Sequence, residues 1–453
     1  MQVITSKWKM AEIFDVAVFV CCIIFYFVAF MYSLTGNLTD YILTTWLIDY
    51  GDGFTRRGFL GYILSSLFEQ GHKIDIIYFL CRSIHVLVSA IYLILLFKSN
   101  IAIKLKIMLL VSPALIMFNL YDHTAFGRIE SVGFIVTALN CYSIKMYFDR
   151  ASSSAASYTS IVCASNYLIF VILFLIPILL SVLAFVHEGV LLLVAPVNFL
   201  LTFLFLSSTF VKGSEVKSIF WTALAYMPLC LSVLFIVYFG KSGAEHAAAM
   251  CSSIKSNFPG IVKYSCSDLH GVLFFHQKNI ASNMLYTIND IKNNLLGYST
   301  YIMVGSILTA ININIIHQIY SDKIIMKNIS ISSNDYSELY SMVEWLFVFP
   351  MACMIPLFFM GTDWGRWFYV PNMQFVIATL IFHNSKIYNH IRFPVLFPRF
   401  MEFFLSQSKL SVTNVSFVVL MIVLLGLRLP LYSLEWKKFL SPLVYTIMWL
   451  LYS

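Results

Sequence analysis

Apolar runs of about 20 residues recur along the whole chain, each long enough to cross a hydrocarbon core roughly 30 Å thick as a helix. The runs are continuous rather than alternating. They therefore predict helices and not barrel strands, the two structures that satisfy their own backbone in lipid. They fall near 11–34, 76–97, 103–120, 129–148, 163–187, 189–210, 218–240, 296–320, 340–360, 367–383, 413–428 and 439–452. The stretch 58–68, GFLGYILSSLF, is too short to cross and predicts an interfacial or re-entrant helix. The expected fold is all-α integral membrane: one polytopic domain over 1–453, a bundle of about 12 transmembrane helices. Two polar insertions interrupt it, a first outer loop at 35–75 carrying the interfacial helix and a larger one at 241–295, which predicts a small helical periplasmic cap. No internal repeat is apparent, which argues against a transporter built from two related halves.

Lys7 and Lys9 precede the first run as they would in a signal peptide. No small-x-small cleavage site follows, and the run is longer than a signal core, so it is read as a retained first span.

Composition narrows the class further. The chain is 60% hydrophobic and 11% charged, against about 25% charged in a soluble domain, so it lacks the surface to dissolve as one. A net charge of +7 is accounted for by Lys and Arg in cytoplasmic loops, and no nucleic-acid partner is expected. Most of the nine cysteines sit inside apolar runs. Cys251 and Cys266 share the polar insertion and can pair if it faces an oxidising compartment. No zinc-type CxxC spacing exists.

With the spans alternating from an inside N-terminus, four charged clusters fall on the outer face. They are DYGDGFTRRGF (Asp49 to Phe59), YDHTAFGRIE (Tyr121 to Glu130), HEG (His187 to Gly189) and TDWGRW (Thr362 to Trp367). Any one of them has a plain interfacial explanation, because burying a charge in the bilayer costs roughly 2.5–3.5 kcal/mol and tryptophans anchor at the boundary. Four clusters of acid, Arg and His on one face ask for more. Arg56, Arg57, Arg128 and Arg366 offer planar forks suited to bidentate phosphate contacts, with His123 and Trp367 beside them as further candidate binding residues. Asp49, Asp52, Asp122, Glu130, Glu188 and Asp363 are candidate general bases, and His187 can titrate or orient a neighbouring carboxylate. Glycines 53, 58, 127 and 365 adjoin the arginines, where the backbone can turn tightly or approach a ligand. Asp/His clusters can also hold a divalent metal, but nothing in the spacing demands one, and no cofactor is expected.

Acid plus Arg beside lipid suits the transfer of a sugar from a polyprenyl phosphate or diphosphate to a hydroxyl. On these residues the chain resembles the GT-C membrane glycosyltransferases, which have roughly a dozen spans and an acidic first outer loop with interfacial helices. Here Asp49 and Asp52 are followed by the 58–68 helix. It also looks like the Wzy-type polymerases of O-antigen and exopolysaccharide repeat units, very hydrophobic chains with functional arginines in outer loops. That resemblance carries over to Arg56, Arg57, Arg128 and Arg366, although the enlarged loop here follows span seven and those arginines lie outside it. The resemblance implies a bacterial inner-membrane enzyme, active on its periplasmic face. Its partners would be an undecaprenyl-diphosphate-linked glycan and membrane lipid, with a chain-length regulator as a candidate further partner. Addition of a single sugar to a surface glycan is the alternative within this class. A lipid-oligosaccharide flippase is the alternative outside it, and should carry charges deep within its spans, where this chain has few.

Overall fold

A computed structural model describes residues 2–51, 53–121, 126–151, 166–210, 214–240, 243–258, 273, 278, 280–326, 345–383, 414–430, 435–442 and 444. Among them the chain is all-helical, with no strand. In chain order, α1 (Gln2–Thr35) leads into the short helices α2 (Asp40–Leu47) and α3 (Gly58–Leu67). After these come α4 (Lys73–Lys98), α5 (Ile103–Val111), α6 (Met117–Tyr121) and α7 (Glu130–Ala151). The middle of the chain forms α8 (Asn166–Val186), α9 (Val190–Leu193), α10 (Ala195–Thr209), α11 (Glu215–Ala225) and α12 (Met227–Phe239). The polar insertion contributes α13 (Ala244–Asn257) and α14 (Ile280–Asn293). The last third contains α15 (Leu295–Met326), α16 (Trp345–Met360), α17 (Trp364–Phe382) and α18 (Asn414–Gly426).

Four of these are long and apolar enough to cross a membrane: α1 over Ile13–Thr35, α4, α8, and α15 over Leu295–Tyr320. The pair α11–α12, bent by 51°, makes a fifth if counted as one span. Ile13, Phe14 and Val28 on α1 are exposed, as are Val216, Phe220, Val237 and Phe239 on α11–α12. So much apolar surface is out of place in water and fits a shell that faces lipid.

Several expected spans are broken, and proline is the reason at three of them. Run 103–120 divides into α5 and α6 at Ser112–Pro113, with Ser112 in the extended conformation that a following proline imposes. Run 189–210 divides into α9 and α10, with Pro196 in the first turn of α10. Run 218–240 bends where Pro228 opens α12. Each proline lacks the N–H an uninterrupted helix would need. The last expected span, 439–452, and the stretch 384–409 lie almost wholly outside the described residues, as do Cys163 and Cys266.

The run expected at 367–383 is α17, and every residue of it from Trp364 to Phe382 is buried. It packs on α7 and α15 as a central post rather than a lipid-facing helix. Its interior polar groups are satisfied by neighbouring helices. Asn372 Nδ2 donates to Thr309 Oγ1 (2.9 Å) and Asn372 Oδ1 accepts from Asn312 (3.0 Å), while Gln374 donates to Thr137 (3.2 Å). Such bonds hold helices together where no hydrophobic force distinguishes neighbour from lipid.

A second, smaller core forms from the two insertions. Leu38, Ile42, Trp46 and Leu47, with Leu64 of α3 and Ile77 of α4, pack against Ala247, Met250 and Ile254 of α13. The first loop and the later insertion thus build one structure, and Cys251 within it is disulfide-bonded.

Candidate functional site

Residues from all four charged clusters meet at one cavity of about 860 Å³. Arg56 and Arg57 come from the turn before α3, Arg128 from the turn before α7, and His187 and Glu188 from the turn after α8. Asp363, Arg366 and Trp367 come from the start of α17. The side chains are tied together in a chain of charge. Arg57 grips Glu188 with two parallel bonds, Nε to Oε2 at 2.9 Å and Nη2 to Oε1 at 2.8 Å. His187 Nε2 lies 3.3 Å from Glu130 Oε1, which also accepts from Arg366 Nη1 at 2.6 Å. Arg366 Nη2 reaches Asp363 Oδ2 at 2.9 Å, and Arg128 Nη1 stands 3.8 Å from the same oxygen. Arg128 also lies over the Tyr41 ring, 4.5 Å from its centroid.

Local backbone places these groups. Arg57 has φ 64°, the one non-glycine residue with positive φ among those described. That conformation costs about 1–2 kcal/mol for an L-residue, and the fork onto Glu188 offsets it. Gly127, at φ 79°, turns the chain so that Arg128 and Glu130 reach the site. Gly365 serves packing rather than a ligand: a Cβ there would stand 2.0 Å from the Pro430 carbonyl oxygen. Glu130 occupies the first turn of α7, where the helix dipole favours an acid.

The hydrogen bonds fix the state of His187. Its Nδ1 accepts from the Gly189 N–H at 3.0 Å, so the proton sits on Nε2, which faces Glu130 Oε1 at 3.3 Å. Burial pushes its pKa down to about 4, with the Arg57 charge acting in the same direction. His187 is therefore a neutral orienting group, with its basic nitrogen already occupied. Burial alone would raise the Glu188 carboxyl, but the Arg57 guanidinium outweighs it and holds the group well below the usual range.

A stability profile follows from His187. The unfolded chain binds a proton on this residue near pH 6.5 and the folded one near 4, so stability falls as pH drops through that window. The loss amounts to roughly 3 kcal/mol at its lower end, at 1.36 kcal/mol per unit. Glu188, with its pKa depressed, adds its own loss only below about pH 4.5. Thermal unfolding of detergent-solubilised protein at pH 7 and 5 should show the decline, and His187→Gln should reduce its slope. An unchanged slope in that variant would mean that His187 is not buried neutral.

Asp49 is not part of this assembly. It accepts from the Gly51 N–H (2.9 Å) and from Ser65 Oγ (3.1 Å), and it lines a separate crevice with Lys73. Asp52, Asp122 and His123 lie outside the described residues. The structure adds wall residues that the charge pattern does not single out: Thr39 and Tyr41 of the first loop, Asn283, Tyr286 and Asp290 on α14, Asn294 and Tyr298 beyond it, and Glu435. The α14 positions recur at i, i+3 and i+7, a polar stripe visible in the sequence once the insertion is read as a helix. Among the described residues no three His, Cys, Asp or Glu side chains gather as they would to hold a metal ion. No protein-family model, no curated protein and no solved structure matches this chain.

Proposed function

We propose that the cavity transfers a sugar from a polyprenyl-(di)phosphate carrier to an acceptor hydroxyl, polymerising O-antigen or exopolysaccharide repeat units. In this reading the chain is a multi-pass protein of a bacterial inner membrane, with about a dozen crossing segments and its active face periplasmic. The observation that carries it is the meeting of Arg56, Arg57, Arg128 and Arg366 with Asp363 and Glu188 around one cavity in a helical membrane-type bundle. Its volume lies within the roughly 300–1,000 Å³ usual for ligand sites. The Cys251 disulfide fits an oxidising compartment on the side of the insertion, whose helix α14 lines the cavity.

The groups divide by how firmly they are held. Arg57 and Glu188 are locked to each other, and Glu130 is buried behind Arg366. Arg128 is loosely paired: its nearest carboxylate is 3.8 Å away and its buried Nε has no hydrogen-bond partner among the described residues. Arg128 is the natural clamp for an incoming phosphate. Asp363 lines the cavity, with its Oδ2 turned to Arg366. It takes the proton of the acceptor hydroxyl. The new bond forms between that oxygen and the sugar C1, the C1–O bond to phosphate breaks, and its electron pair leaves on a phosphate oxygen stabilised by Arg128.

The test is elongation by the purified full chain in nanodiscs, supplied with undecaprenyl-diphosphate-linked repeat units extracted from the producing cell. A ladder of products is expected, and Arg128→Ala should lower its rate by about 10²–10³-fold, as for loss of one charge-stabilising donor. A single added sugar would replace polymerisation with one-sugar transfer. No product at all, or full activity in Arg128→Ala, would overturn the reading.

A further inference from the structure

A second part of the cavity wall has a chemistry unlike that of the arginines. It is made by Asn283, Tyr286 and Asp290 on one face of α14, by Asn294 and Tyr298 just beyond, and by Trp367 of α17. None of the six is a cation. They are amides, phenols, an indole and a carboxylate, so the wall is polar and aromatic and repels anions through Asp290.

Two atoms on this wall are buried without partners. Asn283 is 8% exposed and its Oδ1 accepts no hydrogen bond among the described residues. Trp367 is 3% exposed and its Nε1 donates none. An unsatisfied buried polar atom costs about 1–3 kcal/mol, so an acceptor and a donor left unpaired in two residues that line one cavity point to a ligand that supplies both. A hydroxyl does so, since it donates to one group and accepts from another. A phosphate carries acceptors only and cannot meet the Asn283 oxygen. Asp290 is already ordered for a polar neighbour, with Asn294 Nδ2 donating to its Oδ1 at 2.8 Å and Tyr298 donating to its Oδ2.

We infer that Asn283, Asp290 and Trp367 form a subsite for an uncharged sugar ring of a glycan, separate from the arginines that take the phosphates. The inference rests on the glycosyl-transfer reading and places the sugar end of the substrate against α14. The insertion helix is then a reader of the glycan.

Two probes separate the parts, both applied to the full chain in nanodiscs. One is undecaprenyl diphosphate without sugar. The other is the oligosaccharide released from the producing cell's lipid-linked repeat unit by mild acid. The wild type should bind both. Asn283→Ala and Trp367→Phe should each weaken oligosaccharide binding by up to about tenfold, the size of one lost hydrogen bond, and Asn283→Ala should leave undecaprenyl diphosphate binding unchanged. Trp367→Phe keeps an aromatic ring and removes the N–H, so it carries the test if Asn283→Ala does not fold. Equal oligosaccharide affinity in wild type and variants overturns the subsite and leaves the transfer reading standing, as does binding of the lipid diphosphate alone. Oligosaccharide binding with the expected losses, but no binding of undecaprenyl diphosphate, keeps the subsite and removes the transfer reading. Binding of neither probe removes both.

Discussion

Arg366→Ala is expected to lower the stability of the folded protein by about 3–5 kcal/mol, the scale of breaking a buried ion pair by removing one partner. Arg366 is 8% exposed and holds two carboxylates at once, Glu130 through Nη1 and Asp363 through Nη2. Without it Glu130, 2% exposed, is left with His187 3.3 Å from its Oε1, a backbone hydrogen bond and the more distant charge of Arg128. Its Oε2 already lacks a hydrogen-bond partner among the described residues, so the loss of Arg366 leaves a buried carboxylate short of its closest cation. Arg366→Lys should recover only part of the loss, because an ammonium is a point charge without the planar fork that spans both acids. Adding Glu130→Gln to Arg366→Ala should raise stability above that of the single variant, since it removes the stranded charge. Thermal unfolding of the purified variants in detergent reads all three. A wild-type midpoint for Arg366→Ala would sink the account of the buried network.

On the proposed transfer reading, Asp363→Asn is expected to reduce glycosyl transfer by about 10²–10⁴-fold, the usual contribution of a positioned general base. Asparagine keeps the shape and an acceptor oxygen, and Arg366 keeps its pairing with Glu130, while Arg128 loses its nearest carboxylate, so a modest loss of stability accompanies the loss of activity. The loss should fall on kcat and leave KM for the lipid-linked donor near its original value, because the proton is removed only as the reaction proceeds. The measurement is turnover of undecaprenyl-diphosphate-linked repeat units, alongside a melting curve showing that the protein is intact. Turnover above about a tenth of wild type would exclude Asp363 as the base, since that is far short of a base's contribution. Glu188 has a weaker claim to the role: both its oxygens are already held by Arg57, and its charge is needed to hold that arginine in a backbone conformation unusual for it.

The helical class and the meeting of the charged clusters are visible in the chain because charge is so scarce. In a soluble protein DWGRW would be lost among dozens of surface ions, whereas here each cluster interrupts an apolar background. The role of each helix is harder to read. A run of apolar residues says that water is excluded but not by what, so α17, buried throughout, and α1, with much of its apolar surface outward, look alike in sequence. Prolines 113, 196 and 228 mark where expected spans break, a signal present in the sequence but outweighed there by hydropathy. Asp49 shows the opposite limit. It has the right residue type in the right loop, and it is engaged in capping a turn beside Ser65. The α14 wall escapes notice because its asparagines and tyrosines are uncharged, and only their spacing along a helix reveals them.

The pairing of Glu130 with Arg366 spans 236 residues, which sets a timetable for the chain as it is made. At a synthesis rate of about 5–20 residues per second, the arginine emerges roughly 10–50 s after the carboxylate it neutralises. Through that interval α7 has an acid at its first turn that belongs in neither lipid nor a dry interior. Until α17 is made, that acid lacks the cation that pairs with it in the folded chain. A chain that stops short of α17 has Glu130 without its Arg366 partner.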